Sequence, residues 1–268
     1  MKGGVVSRSV PVPQEPPQLL FGLTEGPRAL SEYAWFLAVR EWLRRQGGDG
    51  EGRPVLLLPG LMADDWSTAP LRRILASSGY EPYAWGLGRN IGPTPKAIAG
   101  MDRLLLEIRE AHGRPVSLIG QSLGGIFARE LARRHPGVVE RIITLGSPIG
   151  ISDSRQSRAH QTYVRHVDQH LPEFAFDTWI TAPPPAVPST SVYSRFDGVV
   201  RWEACLHPED DLSENIEVAA SHLGLAVHPA AVYAVLDRLA APLDPWARFE
   251  RPAFLRHYFP LPSYAATA

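Results

Sequence analysis

The pentapeptide Gly120-Gln121-Ser122-Leu123-Gly124 constrains this chain more than any other feature. An apolar run, VSLI, leads straight into it, and a stretch rich in Leu, Ile, Phe and Ala leads straight out. That setting predicts a strand over 116–120 and a helix over 122–135, joined with no room for a loop. So tight a turn forces Ser122 into a strained backbone conformation. Glycines two residues before and after it leave space where strand and helix cross. The serine hydroxyl is thereby raised at the carboxyl edge of a sheet, near a helix N-terminus that favours negative charge. Serine also caps helices, but capping alone requires neither flanking glycine. The five-residue pattern by itself recurs by chance; its setting gives it meaning.

The same rhythm runs on both sides. Strands are predicted at 55–58, 81–86 and 141–146, with helices at 63–78 and 94–112. The second helix is capped at Thr94, with Pro95 in its first position. Strands alternating with helices predict a mostly parallel sheet with helices on both faces. Continuous apolar strands such as VLLL and IITL suit a sheet covered on both sides. An amphipathic helix is expected at 28–45. The rhythm fails over 150–186, which is read as an inserted lid carrying Tyr163, Phe174, Phe176, Trp179 and Ile180. Strands at 190–194 and 215–218 and a helix at 229–239 complete the fold. Residues 1–18, proline-rich, are expected to form a flexible arm, and 19–241 a single α/β domain. The tail, 242–268, carries Trp246, Phe249, Phe254, Tyr258, Phe259 and Tyr264, expected to pack on the protein's own surface.

Composition narrows the function classes. The net charge is -1 and no basic block breaks the balance, which argues against nucleic acid. Cys205 is the only cysteine, so no intrachain disulfide forms. No apolar run approaches the ~18 residues of a spanning helix. Residues 1–17 lack the continuous apolar stretch of a signal peptide, so a cytoplasmic location is expected. His160, His166 and His170 have no partnering carboxylate or cysteine spacing, so no metal is expected, and nothing calls for a cofactor. The oligomeric state is left open.

A serine hydroxyl is a weak nucleophile until a base takes its proton. In such a sheet the partners follow in the order serine, acid, histidine. Asp197 follows the strand at 190–194, beside Gly198, whose turn is expected to aim the carboxylate inward. Asp210 and Asp211 are its rivals, in a charged run that suits solvent. His222 follows the last strand, in Ala220-Ser221-His222-Leu223-Gly224. His228 and His207 are its rivals, each before a proline. The oxyanion needs two backbone N–H donors. One is expected from Leu123, after the serine. The other is expected from the loop Pro59-Gly60-Leu61-Met62, with Leu61 as donor.

From about Val55 to Leu239 the chain resembles the bacterial lipase and esterase branch of the α/β-hydrolase family. The resemblance rests on PGLMADD, IGQSLGG, LGSP, YSRFDGVV and SHLGLAVHP. It implies that fold and a serine hydrolase cleaving esters with apolar acyl groups, its partner a small ester or lipid. Members of the family often carry His-Gly where this chain has Pro59-Gly60. An acyltransferase using the same three residues, and a catalytically silent binding protein on the same fold, are the alternatives. Peripheral membrane contact through the aromatic tail lacks a supporting basic face.

Overall fold

The computed structural model describes residues 13, 15–150, 154–174, 184–208 and 210–261. Six strands form its sheet: β1 Pro54–Leu58, β2 Glu81–Tyr83, β3 Val116–Gln121, β4 Val139–Leu145, β5 Ser189–Tyr193 and β6 Ser213–Glu217. Their order is β2-β1-β3-β4-β5-β6, and each neighbouring pair is parallel. The helices are α1 Leu19–Gln46, α2 Asp65–Ser77, α3 Pro95–His112, α4 Leu123–Arg134, α5 His160–Val164 and α6 Pro229–Ala240.

Side chains alternate across a strand, so one apolar run feeds two cores. On β1, Val55 and Leu57 pack with α1, α2 and α6, through Phe36, Leu75 and Leu236. Leu56 and Leu58 face α3 and α4, through Met101, Leu105 and Phe127. These four side chains are all buried, each worth roughly 1.5–3 kcal/mol relative to exposure. The parallel sheet and its two helical layers agree with the pattern read from the sequence. So does the start of α3, where Thr94 Oγ1 accepts from the Ala97 N–H at 3.1 Å and Pro95 opens the helix.

Most boundaries fall within two residues of the expectation; two differ by more, each for a physical reason. Strand β2 stops at Tyr83 rather than Gly86, because the N–H groups of Trp85 and Gly86 turn to the Asp65 carboxylate at 3.1 and 3.2 Å. Helix α1 begins at Leu19, nine residues before the predicted start, and runs through Pro27. Its first turns hold Gly22, Gly26 and Pro27, all poor helix formers. Tertiary contacts described below hold that stretch. The tail packs back across α1 and α6. Phe259 is buried against Phe249 at 4.9 Å and Tyr233 at 5.9 Å, and Tyr258 lies 5.4 Å from Trp35. Tyr264 and residues 1–12 of the N-terminal arm lie outside the described residues, as do Phe176, Trp179 and Ile180 of the insertion. Among the described residues no helix is long and apolar enough to cross a membrane.

Candidate active site

Ser122 sits where β3 turns into α4, with φ 51° and ψ -122°. A non-glycine residue rarely adopts positive φ, and persists there only when its surroundings hold it. One such hold is the Ser122 N–H, which donates to the Leu145 carbonyl at the end of β4 at 2.8 Å. The flanking glycines are required by contact. A Cβ on Gly120 would strike the backbone of Gly124 and Gly125, and one on Gly124 the Leu58 carbonyl. Ser122 makes no side-chain capping bond to α4, which disposes of the capping alternative.

Beside this turn lies a carboxylate–imidazole pair. His222 Nδ1 donates to Asp197 Oδ2 at 2.6 Å, with both residues buried, at 4% and 3% exposure. The other carboxylate oxygen, Oδ1, accepts from the N–H groups of Val199 at 2.8 Å and Val200 at 2.7 Å. Asp197 is thus oriented by its own loop and presents one free oxygen to the ring. Burial opposes charge on His222, but the charge and hydrogen bond of Asp197, with the charge of Glu25, outweigh it and hold its pKa above the ordinary imidazole value. The pair sits over the end of β4. A Cβ on Gly146 would come within 3.1 Å of both Asp197 Oδ2 and His222 Nδ1, at a φ of 58°. Gln121, next to the serine, donates from Nε2 to the His222 carbonyl at 3.1 Å. Among the described residues no hydrogen bond joins Ser122 Oγ to the ring; such bonds commonly tighten only when substrate is in place.

The rivals lie elsewhere. Asp210 and Asp211 are exposed. His207 is buried against Arg129 Nη1 at 3.0 Å. His228 is buried edge-on to Trp35, at 5.2 Å between centroids, and burial lowers its pKa to about 4.

Leu61 and Leu123 line one cleft with Ser122, of about 40 Å3, together with Pro148, Tyr163 and Val200. Among the described residues the N–H of neither leucine has a hydrogen-bond partner, as an oxyanion donor requires. Gly60 brings the loop close, since a Cβ there would lie 3.2 Å from Ser122 Cβ. Fully buried Asn90 braces this loop. Its Nδ2 donates to the Pro59 carbonyl at 2.8 Å, and its own carbonyl accepts from the Met62 N–H at 2.6 Å. Nothing in the sequence around Asn90 announces this role.

The described part of the insertion is anchored at both ends. The Arg158 N–H donates to the Val199 carbonyl at 2.9 Å in the Asp197 loop. Beyond α5, His170 Nε2 donates to the Ile91 carbonyl at 2.8 Å. Tyr163 and His160 of the insertion line the Ser122 cleft. Phe174 instead stacks under Arg134, whose guanidinium lies 5.2 Å above its ring. Among the described residues no group of three His, Cys, Asp or Glu is placed to hold a metal ion.

Two buried carboxylates on α1 were not foreseen. Glu25 Oε1 accepts from the N–H groups of Gly198 at 2.8 Å and His222 at 3.1 Å, and its Oε2 from Leu223 at 3.0 Å. Glu32 accepts from the Ser221 N–H at 2.7 Å and the Ser221 hydroxyl at 2.5 Å. The helix lies so close that Gly198 and Gly224 admit no side chain. A Cβ on Gly198 would strike the backbone of Phe21 and Gly22, and one on Gly224 the Glu32 carboxylate. Gly198 lies in the bend that aims the Asp197 carboxylate at His222, as the sequence suggested, but the reason for glycine differs. Its φ is not positive, and what demands glycine there is the packed helix.

No family model matches the sequence. Solved structures do resemble the chain. Lipase B of Aspergillus fumigatus superposes with a TM-score of 0.56 at 16% identity, over 74% of this chain and 55% of that one. The chain thus spans about half the length of that lipase. The lipase BlEst2 of Bacillus licheniformis superposes at 0.52 and 16% identity, over 72% and 94% of the two chains. A pyrethroid hydrolase of Sphingobium faniae does so at 0.52 and 16%, over 72% and 99%. Likeness at this identity concerns the path of the backbone.

Proposed function

The chain has the α/β-hydrolase fold, and on that premise we propose that it is a serine hydrolase cleaving carboxylic esters through an acyl-enzyme. One observation carries the reading: Ser122 is held at positive φ at the wall of a cleft, beside the buried Asp197–His222 pair. In this reading His222 Nε2 takes the Ser122 proton as Oγ attacks the ester carbonyl carbon. Asp197 keeps the Nδ1–H tautomer and stabilises the imidazolium. The Leu61 and Leu123 N–H groups receive the charge that develops on the carbonyl oxygen. The C–O bond then breaks, and His222 returns the proton to the departing alcohol. Water repeats the sequence on the acyl-enzyme and frees the acid.

The lining of the cleft supports a substrate class. Leu61, Leu123, Pro148, Tyr163 and Val200 offer an acyl group an apolar wall, part of it contributed by the insertion acting as a lid. The apolar character of that wall supports a small apolar ester or lipid as substrate. The alternatives, acyl transfer to an alcohol and silent binding, draw no support from any separate residue.

The test is a series of p-nitrophenyl esters of rising acyl length, run on wild type and Ser122→Ala. Wild type is expected to hydrolyse them, best at medium or longer chains, and the variant to lose the catalysed rate. Equal rates in the two proteins would remove Ser122 from the chemistry. A sharp preference for acetate would remove only the lipid part of the reading.

A further inference from the structure

We infer that Glu25 of α1 is a positioning residue for the reaction: its single carboxylate ties the loop that carries Asp197 to the loop that carries His222. The inference rests on the proposed roles of those two residues. Its ground is geometric. The Glu25 carboxylate bonds Gly198, one residue after the acid, together with His222 itself and Leu223. The two loops belong to different strands, 25 residues apart at the acid and the base. The Ser194 hydroxyl ties the same two loops nearer their strands, donating to the Ala220 carbonyl at 2.6 Å and accepting from its N–H at 3.1 Å, whereas the Glu25 bridge acts beside the acid and at the base itself. Arg28, one helical turn on, secures the bridge. Its Nη2 meets Glu25 Oε1 at 2.9 Å, and its Nη1 donates to the Phe196 carbonyl at 2.9 Å. Helix α1 therefore grips the acid loop on both sides of Asp197 and the base loop at His222. The contact of α1 backbone with Gly198 leaves this grip no slack.

The bridge also sets an electrical environment. The charged groups facing the His222 loop are Asp197 from the β5 loop, and Glu25 with Arg28, and Glu32 on Ser221, all from α1. A buried negative charge at Glu25 favours the imidazolium that forms in each half-reaction. Glu25→Gln keeps the shape and one oxygen acceptor but removes the charge, and sets an NH2 group against a backbone N–H.

Two readouts on the full chain test the inference. The first is the His222 titration by NMR on histidine-labelled protein, the signal assigned by its loss in His222→Gln. The second is kcat and KM on a p-nitrophenyl ester. In Glu25→Gln, His222 is expected to titrate at lower pH than in wild type. Its kcat should fall on the order of 10²-fold, the cost of slight misplacement, with KM within about twofold. In Arg28→Met, which leaves Glu25 charged but uncompensated, the titration is expected to move to higher pH. A folded Glu25→Gln with wild-type titration and wild-type kcat overturns the inference. Should Glu25→Gln fail to fold by near-ultraviolet circular dichroism, an Arg28→Met titration unchanged or moved downward overturns it instead. Titrations that move as expected in a protein without esterase activity would sink the proposed function while leaving the electrostatic bridge in place.

Discussion

Ser122→Gly is expected to give a more stable protein than Ser122→Ala, although both lose catalysis. The backbone at position 122 has φ 51° and ψ -122°, outside the regions open to a residue with a Cβ. Strain of this kind costs on the order of 1–3 kcal/mol. Alanine inherits it, because the Cβ remains. Glycine relieves it, but loosens the unfolded chain by about 0.4–1 kcal/mol. The net gain of glycine over alanine is therefore about 1 kcal/mol, with 2 kcal/mol near the upper end. For a domain of this size each kcal/mol moves Tm by roughly 2–4 °C. No capping bond from Ser122 complicates the comparison. Urea unfolding of the two variants, followed by circular dichroism, measures the difference. Glycine no more stable than alanine would mean that position 122 is relaxed, and that the turn presents the serine without holding it there.

Other perturbations separate the parts of the site. Asn90→Ala keeps the backbone bond to Met62 but removes the side-chain bond to the Pro59 carbonyl, and each polar group left unpaired costs about 1–3 kcal/mol; kcat is expected to fall more than KM rises, and an unchanged kcat would detach the Asn90 side chain from the oxyanion loop. The rate needs neutral His222, whose folded pKa lies above the ordinary value, so kcat/KM is expected to rise with pH through that raised value. A pH–rate profile whose acid limb lies below the ordinary imidazole pKa of about 6.5 would contradict this. His228 has the opposite sign. Its folded pKa of about 4 lies below its unfolded one, so the unfolded state binds the proton first and stability falls as pH drops from about 6.5 to about 4. The loss amounts to about 3 kcal/mol, and His228→Leu, which cannot titrate, is expected to lose less stability than wild type between pH 7 and pH 4.5 in urea.

How much of this was legible from sequence depended on the range of each contact. The turn at Ser122 was readable because its signals are contiguous in sequence: an apolar strand, two glycines and an apolar helix. The places of Asp197 and His222 followed from strand order, with the carboxylate just past β5 and the imidazole just past β6. The N-terminal half of α1 was not readable. Gly22, Gly26 and Pro27 argue against helix locally, and the Glu25 and Arg28 contacts that hold the stretch to the acid and base loops lie 168 to 198 residues away. Gly198 and Gly224 were visible as glycines, but the same letter serves a positive-φ turn and a packed backbone. Only the position of α1 decides between them. Asn90 offered no signal, since a buried amide and a surface amide read alike in a loop.

The central claim is that Ser122 is a nucleophile made reactive by His222, and labelling with a fluorophosphonate tests it most directly. Intact mass should show one phosphonyl group per chain, and fragmentation should place it on Ser122. Labelling should vanish in Ser122→Ala and slow sharply in His222→Gln at equal protein concentration. A label on another residue, or one that attaches to Ser122 at the same rate without His222, would contradict the account.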